Sequence, residues 1–389
     1  MDAITLDQSA FRFEDRAERN FVGGEWKFTR EGYEFDIYDP SDSTVIASIP
    51  LSTHMDVRDV IASAKDALPR WSTLPCAKRV RVIIDALAFL CESIDDFASI
   101  ISRDTGLPPH SARSDTLAAM EEIRCATLSV DNDPSPGVIG QILSWSNPAV
   151  VCMRLLFADL ASGNVAVVHP SIRAPLSLVW IADALNRAGV PGGVFNLIQG
   201  AGIDAGMALA RQRDLARLDF QGSRRTAQMV SLSPRKNGVP VRTLFRTVES
   251  IRLDAASDIR ASARSLAEAC FCHAARPGFG GVEVDIPLER LRDLTRHLNT
   301  AFAAARYGGA ATNFTVAPYI AEKFRAGGER QVDAWLESGA DLVCEAPELD
   351  QRIHRMGWFA APCALHDAAG NISLDPEAPN GPLILIRTR

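Results

Sequence analysis

The chain has 389 residues, enough for two or three domains at roughly 150 residues each. Hydrophobic residues make up 47% and charged residues 23%, the balance of an ordinary globular protein, which excludes disordered, collagenous and coiled-coil classes. A formal charge of −7 leaves no basic footprint for nucleic acid or anionic lipid. The opening MDAITLDQSAFRFEDRAERN is charged and mixed, without the apolar centre of a targeting segment. The most apolar long stretch, Val150 to Val168, is interrupted by Arg154, Asp159 and Asn164 and cannot span a membrane. The eight cysteines lack zinc-ligand spacing, Cys270 and Cys272 forming only a CxC. No metal site is expected, and reduced thiols in a cytoplasmic protein are.

Residues 20–50 alternate apolar and polar positions around FVGGEW and YDPSDS, which predicts a β-meander. Helical spacing of Val, Ile, Ala, Leu and Phe follows over Asp56–Ser72 and Ala77–Ser102. Gly106-Leu107-Pro108-Pro109 stops the second helix, and a third covers Ser111–Leu128. From Gly137 strands (137–143, 165–170, 194–200, 215–223) alternate with helices over Val150–Ser162, Ala174–Ala188 and Ile203–Arg211. That alternation predicts an α/β fold with a Rossmann-type, doubly wound parallel sheet. Ligands bind such sheets at the carboxyl ends of the strands, here Trp145-Ser146-Asn147, His169-Pro170-Ser171, Gln199-Gly200 and Gln221-Gly222-Ser223. A second α/β segment begins near residue 241, with helices over Ser257–Cys272, Leu288–Ala305 and Gln331–Ser338 and strands over 280–287 and 383–386. The expected organisation is thus residues 1–240 and 241–389, the last strand reading as a domain cut short.

The segments GVIGQILSW, LASGNVAVVHPS, AGVPGGVFNLIQGAG and LDFQGS, in that order, with FVGGEW, RDTGLP and GWFAAP, resemble the aldehyde dehydrogenase superfamily over roughly residues 20–386. The resemblance implies a cysteine thiolate that attacks an aldehyde and an adduct that loses hydride to NAD or NADP. It also implies an asparagine amide for the oxyanion and a glutamate base for deacylation. A lysine and a glutamate would hold the adenine ribose, and a second glutamate the nicotinamide ribose.

Placed on this chain, those roles meet unusual residues. Ser146 takes the asparagine slot, with Asn147 one position late; His169 takes the lysine slot and Ile172 the ribose carboxylate. Gly222-Ser223 keeps the phosphate turn, followed by Arg224 and Arg225, but Ala227 replaces its second glycine. Phe245 stands in the general-base slot, with Glu249 four positions later. Arg276, or Pro277 after a one-residue shift, stands in the nucleophile slot, and a four-residue deletion would bring Cys272 there. Ala378 replaces the nicotinamide-ribose glutamate, with Glu377 adjacent.

The resemblance therefore implies cofactor contacts from Trp145, His169, Ser171, Gly200, Gly222 and Ser223, with no catalytic residue and no cofactor assigned outright. The expectation is a truncated, pseudoenzyme-like member that has lost NAD(P)-dependent aldehyde oxidation. It would serve as a non-catalytic binding, scaffolding or regulatory subunit, partnered by an active homologue or pathway enzyme or by altered self-association. The family's oligomerisation hairpin is reduced to residues 129–136. Two alternatives stand: a divergent NAD(P)-dependent dehydrogenase using Cys272 with Asn147, oxidising an unusual aldehyde or limited to esterase or acyl-transfer chemistry, and an anion sensor using Arg276. Cys272, Asn147 and Glu249 are the candidate catalytic residues, Glu249 reading as part of a surface turn.

Overall fold

The computed structural model describes residues 16–389 other than 134, 273–278, 310–311, 348 and 379–380. The expected meander divides into two hairpins. Strands β1 (Asn20–Val22) and β2 (Glu25–Lys27) turn through Gly23 and Gly24, both at positive φ, and join the main sheet where Phe21 faces Leu197. Strands β3 (Glu34–Tyr38) and β4 (Val45–Pro50) form a separate two-stranded sheet that buries Ile37 and Ile49 against Leu176.

Helix α1 (His54–Ser72) starts with a reciprocal capping box between Thr53 and Asp56. The single helix expected over Ala77–Ser102 is two, α2 (Cys76–Glu92) and α3 (Ile94–Thr105). Ser93 sits between them at φ −103, ψ 27, its hydroxyl bonded back to the Phe89 carbonyl at 2.9 Å. That local bond competes with the helical ladder, and Asp95 and Asp96 then favour a fresh N-terminus. Helix α3 closes on Gly106 at φ +77, and α4 (Pro109–Leu128) follows. Fully buried Arg79 ties this layer down, donating to the Ser72, Leu74, Ala161 and Ser162 carbonyls at the ends of two helices.

The main sheet is built from β5 (Val138–Ile142), β6 (Val165–His169), β7 (Phe195–Leu197), β8 (Leu215–Gln221) and β9 (Val241–Leu244). They alternate with α5 (Pro148–Ser162), α6 (Leu176–Arg187), α7 (Met207–Ala210) and α8 (Arg224–Lys236). The order is β2-β1-β7-β6-β5-β8-β9, parallel from β7 to β9 and antiparallel only at the β1–β2 edge. From β5 the chain winds outward through β6 and β7, then returns to β8 and β9 on the other side. The direction therefore reverses between β5 and β8, which opens a crevice at their carboxyl ends. Strands β5 and β6 are buried at every position, as a parallel sheet covered on both faces requires. The helix expected over Ile203–Arg211 is instead a wide π-type turn, Gly202–Gly206, leading into the short α7. Two glycines disfavour the α-helix there, and Gly206 is needed because a Cβ would lie 3.0 Å from the His169 ring.

A second sheet contains β10 (Thr247–Arg252), β11 (Phe279–Ile286), β12 (Asp341–Glu345), β13 (Cys363–His366) and β14 (Leu383–Thr388) in the order β10-β11-β14-β13-β12. Helices α9 (Ile259–Phe271), α10 (Leu288–Phe302), α11 (Glu322–Glu337) and α12 (Gln351–Met356) accompany it. It has its own core, centred on Val282, Val284, Leu294, Phe302 and Ile384. Among the described residues, no helix is long and apolar enough to cross a membrane.

Candidate functional site

The crevice between β5 and β8 opens into a cavity of about 790 Å³, within the range of small-molecule and cofactor sites. Trp145, Ser146, His169, Ser171, Gly222 and Ser223 all line it, brought together because each follows the end of a parallel strand. Phe245 lines it too.

Each polar group in this cleft has a defined state. The Gln221 side chain accepts from the Ser144 amide at 3.3 Å and donates to the Ser146 hydroxyl at 3.2 Å. His169 is buried, and its Nδ1 lies 3.1 Å from the Ile198 carbonyl. A carbonyl only accepts, so Nδ1 carries the proton and Nε2 offers a lone pair. Burial pushes the pKa of His169 down to about 4, so the ring is neutral at pH 7. Ser223 caps α8 by accepting from the Thr226 amide at 3.1 Å.

The next amide of α8, that of Arg224, donates to Glu377 Oε2 at 2.8 Å, so a side-chain carboxylate already sits at this helix start. The other oxygen, Glu377 Oε1, is buried without a hydrogen-bond partner. Arg246 stacks over the Trp145 ring at 5.4 Å, burial lowers its pKa, and the nearby Glu377 charge opposes that shift. Arg224 likewise lies 5.6 Å from the Phe245 ring centre.

Two expected members of the cleft are elsewhere. Asn147, at φ +40, is the N-cap of α5 and accepts from the Val150 amide at 3.4 Å. Helix initiation at Pro148 fixes it in that role, so its amide lines neither this cavity nor the next. Gly200, at φ +140, packs against Ser52, where a Cβ would come within 2.8 Å of the backbone nitrogen; Gly202 is the glycine that reaches the cleft. Arg276 and Pro277, in and beside the nucleophile slot, lie outside the described residues.

Cys272 opens onto a second cavity, of about 770 Å³, enclosed by α4, β10, α9 and α10. Glu249 lines the same cavity, so the structure joins two of the three candidate catalytic residues and leaves Asn147 apart. Cys272 Sγ lies 3.4 Å from Ser111 Oγ, and Ser111 Oγ lies 3.2 Å from His110 Nε2. Cys270, two residues away, is fully buried, and burial pushes its thiol well above the ordinary range. The CxC thus divides into one inert core thiol and one thiol facing a cavity. Ser111 and His110 carry no chemical signal in sequence, being 161 and 162 residues from Cys272.

The first cleft offers groups that a nicotinamide dinucleotide would use, with the Glu377 carboxylate already at the α8 amide. Strand ends, the N-terminus of α8 and the His169 acceptor face one cavity, although Ile172 and Ala378 bring no carboxylate to the riboses.

The buried carboxyl of Asp104, in the RDTGLP segment, gives the fold a pH signature together with His169. Asp104 Oδ2 accepts from the Ser177 amide at 3.0 Å, Oδ1 has no partner, and burial raises the carboxyl to about 7. An acid with a raised folded pKa loses stability as pH rises from about 4 to 7. A base lowered to about 4 gains stability as pH rises from about 4 to 6.5. The two slopes oppose each other in the natural chain. Asp104→Asn is expected to leave a urea midpoint that climbs between about pH 4 and 6.5, and His169→Gln one that falls over the same interval. Parallel slopes in the two variants would contradict these assignments.

Comparison with known proteins places this geometry. A model of the aldehyde dehydrogenase family matches residues 26–388. Malonate-semialdehyde dehydrogenase 2 of Oceanobacillus iheyensis is 26% identical over 368 residues, covering 88% of this chain and 74% of that protein. The NADP/NAD-dependent aldehyde dehydrogenase PuuC of Escherichia coli is 31% identical over 234 residues, covering 54% of this chain and 47% of its own. A Burkholderia cenocepacia crystal structure described as an aldehyde dehydrogenase superposes with a TM-score of 0.88 at 28% identity, over 95% of this chain and 82% of that one. These similarities support an aldehyde dehydrogenase ancestry without supporting the expected loss of catalysis.

Proposed function

The chain belongs to the aldehyde dehydrogenase family, and from that membership we propose that it is a thiol-dependent aldehyde oxidoreductase whose nucleophile is Cys272. The observation that carries this reading is that Cys272 and Glu249 line one cavity, which gives a thiol and a carboxylate base the same space. The relatives' names support it over a protein without activity. Cys272 Sγ attacks the aldehyde carbon, and the thiol proton leaves toward Ser111. The adduct on sulfur loses hydride and becomes a thioester, and Glu249 takes a proton from the water that cleaves it to the acid. NAD would supply the hydride acceptor when bound, which requires its nicotinamide end to extend from the first cleft to the thiol cavity. His169, Ser171, Gly222 and Ser223 would hold it, and neutral His169 offers no positive charge to the extra phosphate of NADP.

The substrate class follows from the thiol cavity. Arg260, Arg264 and Arg306 line it beside Asp115, Glu249 and Glu268, so the cavity is polar and its guanidinium groups suit a short aldehyde carrying a carboxylate better than an alkyl aldehyde. The Oceanobacillus relative is named for such a compound.

A second reading, the loss of oxidation in a binding or scaffolding protein, has a specific observation in its favour. Phe245 and Ser146 occupy the base and amide slots of the dinucleotide cleft, Asn147 is a helix cap, and the thiol faces a different cavity from that cleft. Calorimetric titration with NAD, followed by absorbance at the NADH wavelength on adding malonate semialdehyde, separates the two. Binding with NADH formation supports the oxidoreductase. Binding without NADH supports the second reading, and no heat at millimolar NAD rejects dinucleotide use altogether.

A further inference from the structure

Resting on the reading of Cys272 as the nucleophile, we propose that Ser111 and His110 form a proton relay that generates its thiolate. The contacts run in one line: Sγ to Ser111 Oγ at 3.4 Å, then Ser111 Oγ to His110 Nε2 at 3.2 Å. In the productive tautomer His110 carries its proton on Nδ1 and accepts at Nε2. The Cys272 S–H proton passes to Ser111 Oγ as the serine's own proton passes to His110 Nε2, leaving a thiolate and an imidazolium. Nothing is oxidised, and no outside acid or base is consumed. A nucleophile, a hydroxyl bridge and an imidazole within hydrogen-bond reach constitute the geometry by which a side-chain base activates a thiol.

The placement is built into the fold. Ser111 stands in the first turn of α4, just after the Pro108-Pro109 start, and Cys272 stands immediately after the last residue of α9. The two helix ends therefore meet at the cavity wall, with His110 exposed at its mouth, where its proton can exchange with solvent. Among the described residues, the charged and titratable groups that share the cavity are His110 and Asp115 on α4, Glu249 on β10, Arg260, Arg264 and Glu268 on α9, His297 on α10, and Arg306 beyond it. Of these, the arginines favour a thiolate and the carboxylates oppose it, which leaves the hydrogen-bonded relay as the directional path for the proton.

The test needs neither aldehyde nor cofactor. The full chain is treated with iodoacetamide at pH 5 to 9, and alkylation of each cysteine is followed by peptide mass spectrometry. Cys272 is expected to react at pH 7 at least about tenfold faster than in Ser111→Ala or His110→Gln, with both variants shifting its profile to higher pH. Ser111→Thr, which keeps a hydroxyl, is expected to restore the natural profile. The buried Cys152 and Cys363 report any general loosening of the fold, because their alkylation rises only if it opens, and the exposed Cys91 and Cys125 serve as internal standards. An unaltered Cys272 profile in both Ser111→Ala and His110→Gln overturns the relay. Failure of the oxidoreductase reading looks different: a fast, relay-dependent Cys272 alkylation with no NADH formed from any aldehyde.

Discussion

Cys272→Ala is expected to lower kcat/KM for NAD-linked aldehyde oxidation by about a thousandfold or more, with NAD affinity unchanged. The size follows from what is removed. Without a covalent adduct there is no thiohemiacetal to release hydride, and the remaining groups can only bind and orient the aldehyde. The constancy of NAD affinity follows from position, because Cys272 lines the cavity of α4, β10 and α9 and not the Trp145–Ser223 cleft. Cys270 cannot take over, being fully buried with its thiol held well up by that burial. Cys270→Ala should cost stability through a small core cavity while sparing turnover. Progress curves and calorimetry on the two variants check both halves. Full activity in Cys272→Ala would remove the nucleophile from the proposed function.

The parts of this molecule that were legible in sequence are those with strong, uninterrupted periodicity. The apolar runs at Val138–Ile142 and Val165–His169 announce buried parallel strands, and the ends of these two strands and of Leu215–Gln221 bring Trp145, His169, Ser171, Gly222 and Ser223 to one cleft. Strands β9 and β10 were not legible, because their residues are half-buried or exposed and carry no clean alternation. The break at Ser93 was hidden because apolar spacing runs through it, while the deciding bond is a single hydroxyl to Phe89. At the site, counting positions along the family pattern yields the expectation that Ser146 and Phe245 stand in the amide and base slots. It could not see that Glu249, displaced by four positions, faces the same cavity as Cys272, or that Ser111 reaches that thiol across 161 residues. Loss of catalysis was inferred from empty slots. Side chains arriving from other elements are the physical reason that such an inference does not follow from slots alone. The same limit applies to Gly200, whose motif fits but whose positive φ serves a backbone approach to Ser52.

Glu377→Gln is expected to tighten NAD binding about tenfold, or about 1.4 kcal/mol. In the natural chain the Glu377 carboxylate accepts from the Arg224 amide at 2.8 Å, at the start of α8, where the helix offers its partial positive charge. A dinucleotide phosphate seeks the same N–H groups, so it must displace a fixed negative charge or lie beside one. Glutamine keeps the shape and can still accept from Arg224, but it gives up the charge that opposes the phosphate. Glu377 Oε1 has no hydrogen-bond partner to lose, and Arg246, which stands over Trp145 and is attracted by the Glu377 charge, is released to the ligand. Because Glu377 neighbours the family's nicotinamide-ribose slot at Ala378, the opposite result is equally informative. If Glu377→Gln binds NAD about tenfold more weakly, the carboxylate turns from the helix to a ribose hydroxyl in the complex. Titrating NAD alongside inorganic pyrophosphate distinguishes these roles, since the competing-charge role predicts that Glu377→Gln strengthens both ligands and the ribose role predicts a loss for NAD alone.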